Sequence, residues 1–267
     1  MPSYVVTGAS RGLGLQFVRH LSSDAHNVVI GLVRNKAEAE KNFSNAPNVS
    51  FFEADITDLT ALKTAASETA KVTGGGLDYL INNAGFVSKV SGFRTFAHFE
   101  TIPEAQTKDL LESFNINVIG VINTISAFLP LLRKGTAKKV LTLSTGMADI
   151  NMINDLELAV AAPYSISKAA VNVVVAKYNA LYKSEGFLFM AVSPGYVDTG
   201  NAPADNEIDK AGAQDMASKF AKYAPHFTGP MTPEESIEAI FKVLDHASIE
   251  NGDGGSFVSH LGNKQWL

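Results

Sequence analysis

The sequence predicts an α/β fold: a doubly wound three-layer sandwich, with helices on both faces of a seven-stranded parallel sheet. Three observations point to it. Short apolar runs without polar alternation recur along the chain, as strands buried on both faces require. Longer segments of helical character fall between them, the β-α-β-α rhythm of an open parallel sheet. The first apolar run passes directly into a glycine-rich turn and then a helix.

The elements follow in order. Strands are expected at 4–7, 27–32, 49–53, 79–82, 139–144, 187–193 and 256–258, with "VVI", "VLTL" and "FLFMAV" reading as buried on both faces. Helices are expected at 12–22, 58–71, 104–132 (broken), 163–184 and 233–245. No repeat, low-complexity tract or linker interrupts the chain, so a single domain over 1–267 is expected. The stretch 199–232 has no clear strand and follows the sixth one. An excursion at a strand's carboxyl end overlies the ligand crevice of such a sheet, so it reads as a lid or as a plain surface insertion. Segment 164–182 is apolar around most of its circumference, and a sheet covers only one face of a helix. Either a partner subunit in a homodimer or homotetramer covers the rest, or segment 104–132 does.

Composition bounds the function. Hydrophobic residues are 46% and charged residues 18%, and the net charge is −5. This balance argues against nucleic acid or an anionic membrane as partner. The chain has no cysteine, which excludes disulfides, thiolate catalysis and cysteine-ligated metals. The six histidines are scattered, so no metal site is expected. No basic region followed by an apolar stretch opens the chain, and no run of 18 apolar residues occurs. A cytoplasmic protein is the expectation.

The loop "TGASRGLG" places glycines at 8, 12 and 14 between strand and helix. Gly8 allows the tight turn, Gly12 lets backbone N–H groups approach a pyrophosphate, and Gly14 lets the helix pack closely on the sheet. The phosphate then sits at the positive end of the helix. Ser10, Arg11 and Leu13 belong to the same cofactor-binding loop. Its spacing, G-x-x-x-G-x-G, differs from the common Rossmann G-x-G-x-x-G.

"TGASRGLG" together with "NNAG" (82–85), "YSISK" (164–168) and "SPG" (193–195), in this order, resembles the short-chain dehydrogenase/reductase family over nearly the whole chain. "STGMAD" and "SPGYVDT" resemble its sniffer and C-factor-like branch, including fungal ketoreductases. The resemblance implies a Rossmann-type fold and a nicotinamide cofactor. By it, Asp55 and Ile56 contact the adenine, and Asn83, Ala84 and Gly85 line the adenosine side. The turn at Pro194 and Gly195 passes the nicotinamide, which groups near Val197 and the Thr199 hydroxyl bind.

In this fold a carboxylate after the second strand selects NAD, and an arginine accommodates the 2′-phosphate of NADP. No acidic residue occurs from Val28 to Ala37, while Arg34 follows the strand and Arg11 lies in the glycine loop. Two guanidinium groups pair with a phosphate that a carboxylate would repel. NADPH/NADP+ is therefore the expected cofactor.

Tyr164 and Lys168 stand four apart near the start of a helix and share a face. A lysine ammonium near a phenol favours the phenolate and lowers the tyrosine pKa from about 10, suiting it to proton transfer near neutrality. The resemblance adds that Lys168 holds the nicotinamide ribose and that Asn117, in "NINVIG", anchors a water in a proton relay. It also implies a hydroxyl at the end of the fifth strand that binds the substrate carbonyl, filled by Ser144 or Thr145. Strand side chains alternate faces, so only one of the two points into the site, and register favours Thr145. The connection "GMADINMINDLELAVAAP" offers Met147, Met152, Ile153 and Leu156 either as an apolar pocket wall or as a cluster packed on itself.

The expected function is NADPH-dependent reduction of a hydrophobic or aromatic ketone or aldehyde to the alcohol. The alternatives are a non-catalytic NADP-binding regulatory protein of the same fold and an epimerase or dehydratase.

Overall fold

The computed structural model describes residues 1–43, 46–200, 206–225 and 229–267. Seven strands, β1 (Ser3–Thr7), β2 (Val28–Val33), β3 (Val49–Glu53), β4 (Tyr79–Asn82), β5 (Lys139–Leu143), β6 (Leu188–Ser193) and β7 (Phe257–Ser259), form one parallel sheet. Their order is β3-β2-β1-β4-β5-β6-β7. The expected strands are all present, within one residue at each end.

Side chains alternate between two apolar layers, as the period of two demands. Val5, Ile30, Leu80, Val140 and Phe189 pack under α3 (Leu59–Thr73), α5 (Gly120–Leu132) and α7 (Ala162–Tyr182). Val6, Val29, Ile81, Leu141 and Met190 pack on the other face under α1 (Gly12–Ser22), α2 (Lys36–Glu40) and α9 (Pro233–His246). Burial on both faces explains why the strands read as unbroken apolar runs.

Segment 104–132 is α4 (Pro103–Phe114) continued into α5 through a π turn at Asn115–Ile119. This continuous helix is long and apolar enough, by length and composition, to cross a membrane. Within the fold Ile125, Phe128 and Leu132 are fully buried in the sheet-facing core. α4 packs beside α7 and covers a second of its faces, so the same chain does part of what a partner was expected to do. Leu111, Phe114, Ile166, Val173 and Leu181 still leave their side chains exposed.

Three helices were not expected: α2, α6 (Ile150–Leu156) and α8 (Glu207–Tyr223). Each begins at a side chain that accepts a backbone N–H, Asn35, Asp149 and Asn206 respectively. α8 occupies the middle of the excursion 199–232, of which residues 201–205 and 226–228 lie outside the described residues.

Candidate active site

β1 pairs with β2 on one side and β4 on the other. The chain changes direction there, which opens a crevice at the carboxyl ends of the strands. The glycine loop lies in it. Gly8 and Gly12 adopt left-handed conformations, φ 67° and 54°, which glycine alone reaches without strain. A Cβ on Gly14 would fall on the Gly8 carbonyl and within 2.5 Å of Asn83 Nδ2, so the helix seats only with glycine there. Asn83 bolts this corner: its N–H donates to Thr7 Oγ1 at 3.0 Å and its Nδ2 to Thr7 O at 2.8 Å.

α1 starts with no capping side chain at Arg11, whereas Asp58 and Thr232 cap α3 and α9. Its first N–H groups face the crevice as orphan donors, suited to a phosphate. Thr199 stands against Gly12, with its Cβ 3.4 Å from where a Gly12 Cβ would lie. Arg11 and Arg34 are exposed, and Ile56 is buried. Asp55 accepts from Thr57 N and Oγ1 at 2.9 and 2.7 Å. These bonds, with Arg34 nearby, hold its carboxyl below the ordinary value. An uncapped helix, two glycines in left-handed backbone, a third with no room for a side chain and two exposed guanidinium groups fit a phosphorylated dinucleotide.

β5 delivers the hydroxyl pair. Ser144 N continues the ladder to Val192 O at 2.8 Å, while Ser144 Oγ is buried without a partner. Thr145, half-buried, lies beside the Tyr164 phenol and accepts from Met147 N at 3.3 Å. The structure thus brings Thr145, not Ser144, to the tyrosine. Burial pushes the phenol up to about 12, with the Thr145 hydroxyl pulling the other way. This reverses the direction expected from a lysine neighbour. Lys168 is 4% exposed, and its Nζ donates to Leu143 O at 2.7 Å. Burial lowers its pKa to about 8.

Asn117 lies in the π turn. Its Oδ1 accepts from Phe86 N at 2.7 Å, and its Nδ2 donates to Phe86 O and Ser167 Oγ, both at 2.9 Å. A Cβ on Gly85 would sit 3.4 Å from Lys168 Nζ and 3.5 Å from Asn117 Oδ1, so "NNAG", the π turn and α7 converge at Gly85. A π turn inside a helix often marks a functional site.

The short chain dehydrogenase family pattern matches residues 3–210. The chain belongs to the short-chain dehydrogenase family. Among its curated relatives, short chain dehydrogenase virK of Hypocrea virens is 47% identical, and the match covers all of both chains. Short-chain dehydrogenase/reductase AacuF of Aspergillus aculeatus is 49% identical, again over all of both chains. The NADPH-bound carbonyl reductase from chicken fatty liver superposes with a TM-score of 0.77 at 27% identity, covering 98% of each chain. Carbonyl reductase Sniffer of D. melanogaster shares the fold, with a TM-score of 0.77 at 23% identity over 98% of each chain.

As a short-chain dehydrogenase the chain carries its family motifs in one crevice, and several neighbours there carried no recognisable motif. Pro194 O accepts from Ser236 Oγ at 2.7 Å. Gly195, at φ 83°, is pressed between the His260 ring and the Met231 sulfur, each 3.0 Å from its Cβ position. Val197 bridges to Met231. Met152 and Leu156 do not wall the pocket; they join a third apolar cluster with Met216, Phe220 and Trp266. Met147 packs against its edge, and Ile153 is half-buried.

Proposed function

We propose that this oxidoreductase uses NADPH to reduce a hydrophobic or aromatic ketone or aldehyde to the alcohol. The observation that carries the reading is the Thr145 hydroxyl beside the Tyr164 phenol, with Lys168 one helical turn away. Thr145 accepts from a backbone N–H, leaving its own proton to donate to the substrate's carbonyl oxygen. Tyr164, held protonated by burial, donates its proton to that same oxygen as the carbonyl carbon is reduced. Lys168 holds the ribose side of the cofactor, and Asn117 fixes the Gly85–Phe86 wall and belongs to the proton relay. A bound nicotinamide supplies the hydride; the residues supply position and proton.

NADPH rather than NADH is supported by Arg11 and Arg34 and by the absence of a carboxylate from Val28 to Ala37. The chicken relative's bound NADPH agrees with this. The apolar substrate is supported by the exposed side chains of Val87, Ile150 and Tyr196, which follow Gly85, Thr145 and Gly195 within five residues along the chain. We read α8 as the lid over the site. The test is a panel of aromatic ketones, diketones, quinones and aldehydes, followed by NADPH absorbance. Reduction by the natural chain that Tyr164→Phe loses, with NADPH binding kept, is expected. Activity unchanged in Tyr164→Phe sinks the mechanism, and equal kcat/KM with NADH sinks the cofactor choice.

A further inference from the structure

Thr145 is followed by a tight 3-10 turn, Gly146–Ala148. Something must hold that turn still if the Thr145 hydroxyl is to stay aimed at Tyr164. Its N-terminal side is tied to the sheet, Gly146 N donating to Ser193 Oγ at 3.0 Å. Its other side meets the end of the chain. A Cβ on Gly146 would lie 2.6 Å from Trp266 Cβ, 2.8 Å from Trp266 Cγ and 3.0 Å from the Met152 sulfur.

Trp266 is the only tryptophan in the chain and is 3% exposed. Its ring stacks on Phe257 of β7, centroids 4.5 Å apart at 21°. Lys264 Nζ lies over both rings, 4.8 and 5.2 Å from their centres. It also stands 4.0 Å from the carboxylate of Asp149, the cap of α6. Trp266 shares its cluster with Met152 and Leu156 of α6 and with Met216 and Phe220 of α8. One side chain therefore touches the turn after Thr145 and packs among both α6 and α8.

We infer that Trp266 is a positioning residue for Thr145: the C-terminal tail locks the 146–148 turn and, through it, the carbonyl-binding hydroxyl. The inference rests on the reading of Thr145 given above. Trp266 and Met152 packed against Gly146 leave no room for the turn to shift toward them, and close-packed interiors transmit such a constraint rather than absorb it. Misplacing a reacting group by about 1 Å costs on the order of 10²-fold in rate.

The test compares Trp266→Ala and Trp266→Phe with the natural chain, using the aromatic carbonyl of the panel that is reduced fastest. Trp266→Ala is expected to lower kcat by about tenfold or more and to leave NADPH affinity, read from the cofactor's own emission, unchanged. Trp266→Phe keeps a flat ring against Phe257 and is expected to restore most of kcat. Unchanged kcat in Trp266→Ala overturns the inference. So does a parallel loss of NADPH binding, which a merely structural role predicts. If Trp266→Ala does not fold, Gly146→Ala asks the same question from the other side, since its methyl meets Trp266 and must displace the turn. Lost kcat with intact NADPH binding supports the inference, and full activity overturns it. Thr145→Ala separates the two ideas: if it costs nothing, the reading of Thr145 fails, and if it alone costs activity, only the role of Trp266 fails.

Discussion

Two adjacent hydroxyls, Ser144 and Thr145, meet opposite fates at the end of β5. Thr145 reaches Tyr164, and Ser144 Oγ is sealed with no partner. Thr145→Ala is expected to lower kcat/KM by about 10²-fold, the usual loss of one positioned donor. Ser144→Ala removes only an unsatisfied buried group, so activity should stay within about threefold and stability should hold or rise. Steady-state kinetics and thermal unfolding of both variants check this. Lys168 sets a pH limit. Burial lowers its pKa to about 8, so the ammonium is present below that pH and is lost above it, while Tyr164 keeps its proton up to about 12. The kcat/KM for NADPH reports the free enzyme and is expected to fall above about pH 8 with a one-proton slope. Replacing Lys168 with Met should remove that limb together with most of the activity. Tyr164, Lys168 and Thr145 were legible because hydroxyl, phenol and amine stand at fixed spacings on one strand and one helix. The raised phenol was not, since desolvation depends on what the rest of the chain lays over the ring.

The segment between β4 and α4 is joined to α8, the proposed lid, by a partly buried ion pair. Arg94, in the segment between β4 and α4, donates from Nε to Asp209 of α8 at 2.8 Å. That hydrogen bond holds the Asp209 carboxyl below its ordinary value. Its contribution is therefore present above the ordinary carboxylate range and is lost as acid protonates Asp209. A double-mutant cycle with Arg94→Met and Asp209→Asn is expected to give about 0.5–3 kcal/mol of coupling, and Asp209→Asn should raise KM for the carbonyl more than for NADPH. No coupling and an unchanged KM would mean that this tie has no bearing on the pocket. α8 was hidden in the sequence because its residues, "EIDKAGAQDMASKFAKY", carry a weak apolar stripe. Its position is set by tertiary packing, down to Gly212, whose Cβ would strike the Phe93 carbonyl. α1 was legible through its loop glycines and α3 through its helical pattern between two apolar runs, which are local signals.

At the scale of the whole molecule, the strands declared themselves because burial on both faces leaves no room for polar residues. The division of helices between the two faces follows from that alternation. The neighbourhood of Trp266 was illegible, because it joins residues more than a hundred positions apart with no shared pattern. Segments α4 and α7 still expose Leu111, Phe114, Ile166, Val173 and Leu181. A homodimer or homotetramer built on this surface is our proposal. Sedimentation should find an assembly larger than one chain, and Leu111→Glu with Val173→Glu should reduce it to the monomer without loss of folding. A natural chain that sediments as a monomer at micromolar concentration would refute it.

The interior place of β1 has a consequence for how the protein is made. The first of the seven strands to leave the ribosome is an interior strand of the sheet, third in its order between β2 and β4. Its last residue, Thr7, waits for Asn83, 76 positions later, to close the corner of the crevice. At about 5–20 residues per second, the nascent chain holds a bare apolar strand for roughly 4–15 s, with β2 as its only early neighbour. That interval is when a chaperone has most to offer this protein. A substitution that weakens the β1–β2 pair should lower soluble yield more than it lowers the stability of the finished fold.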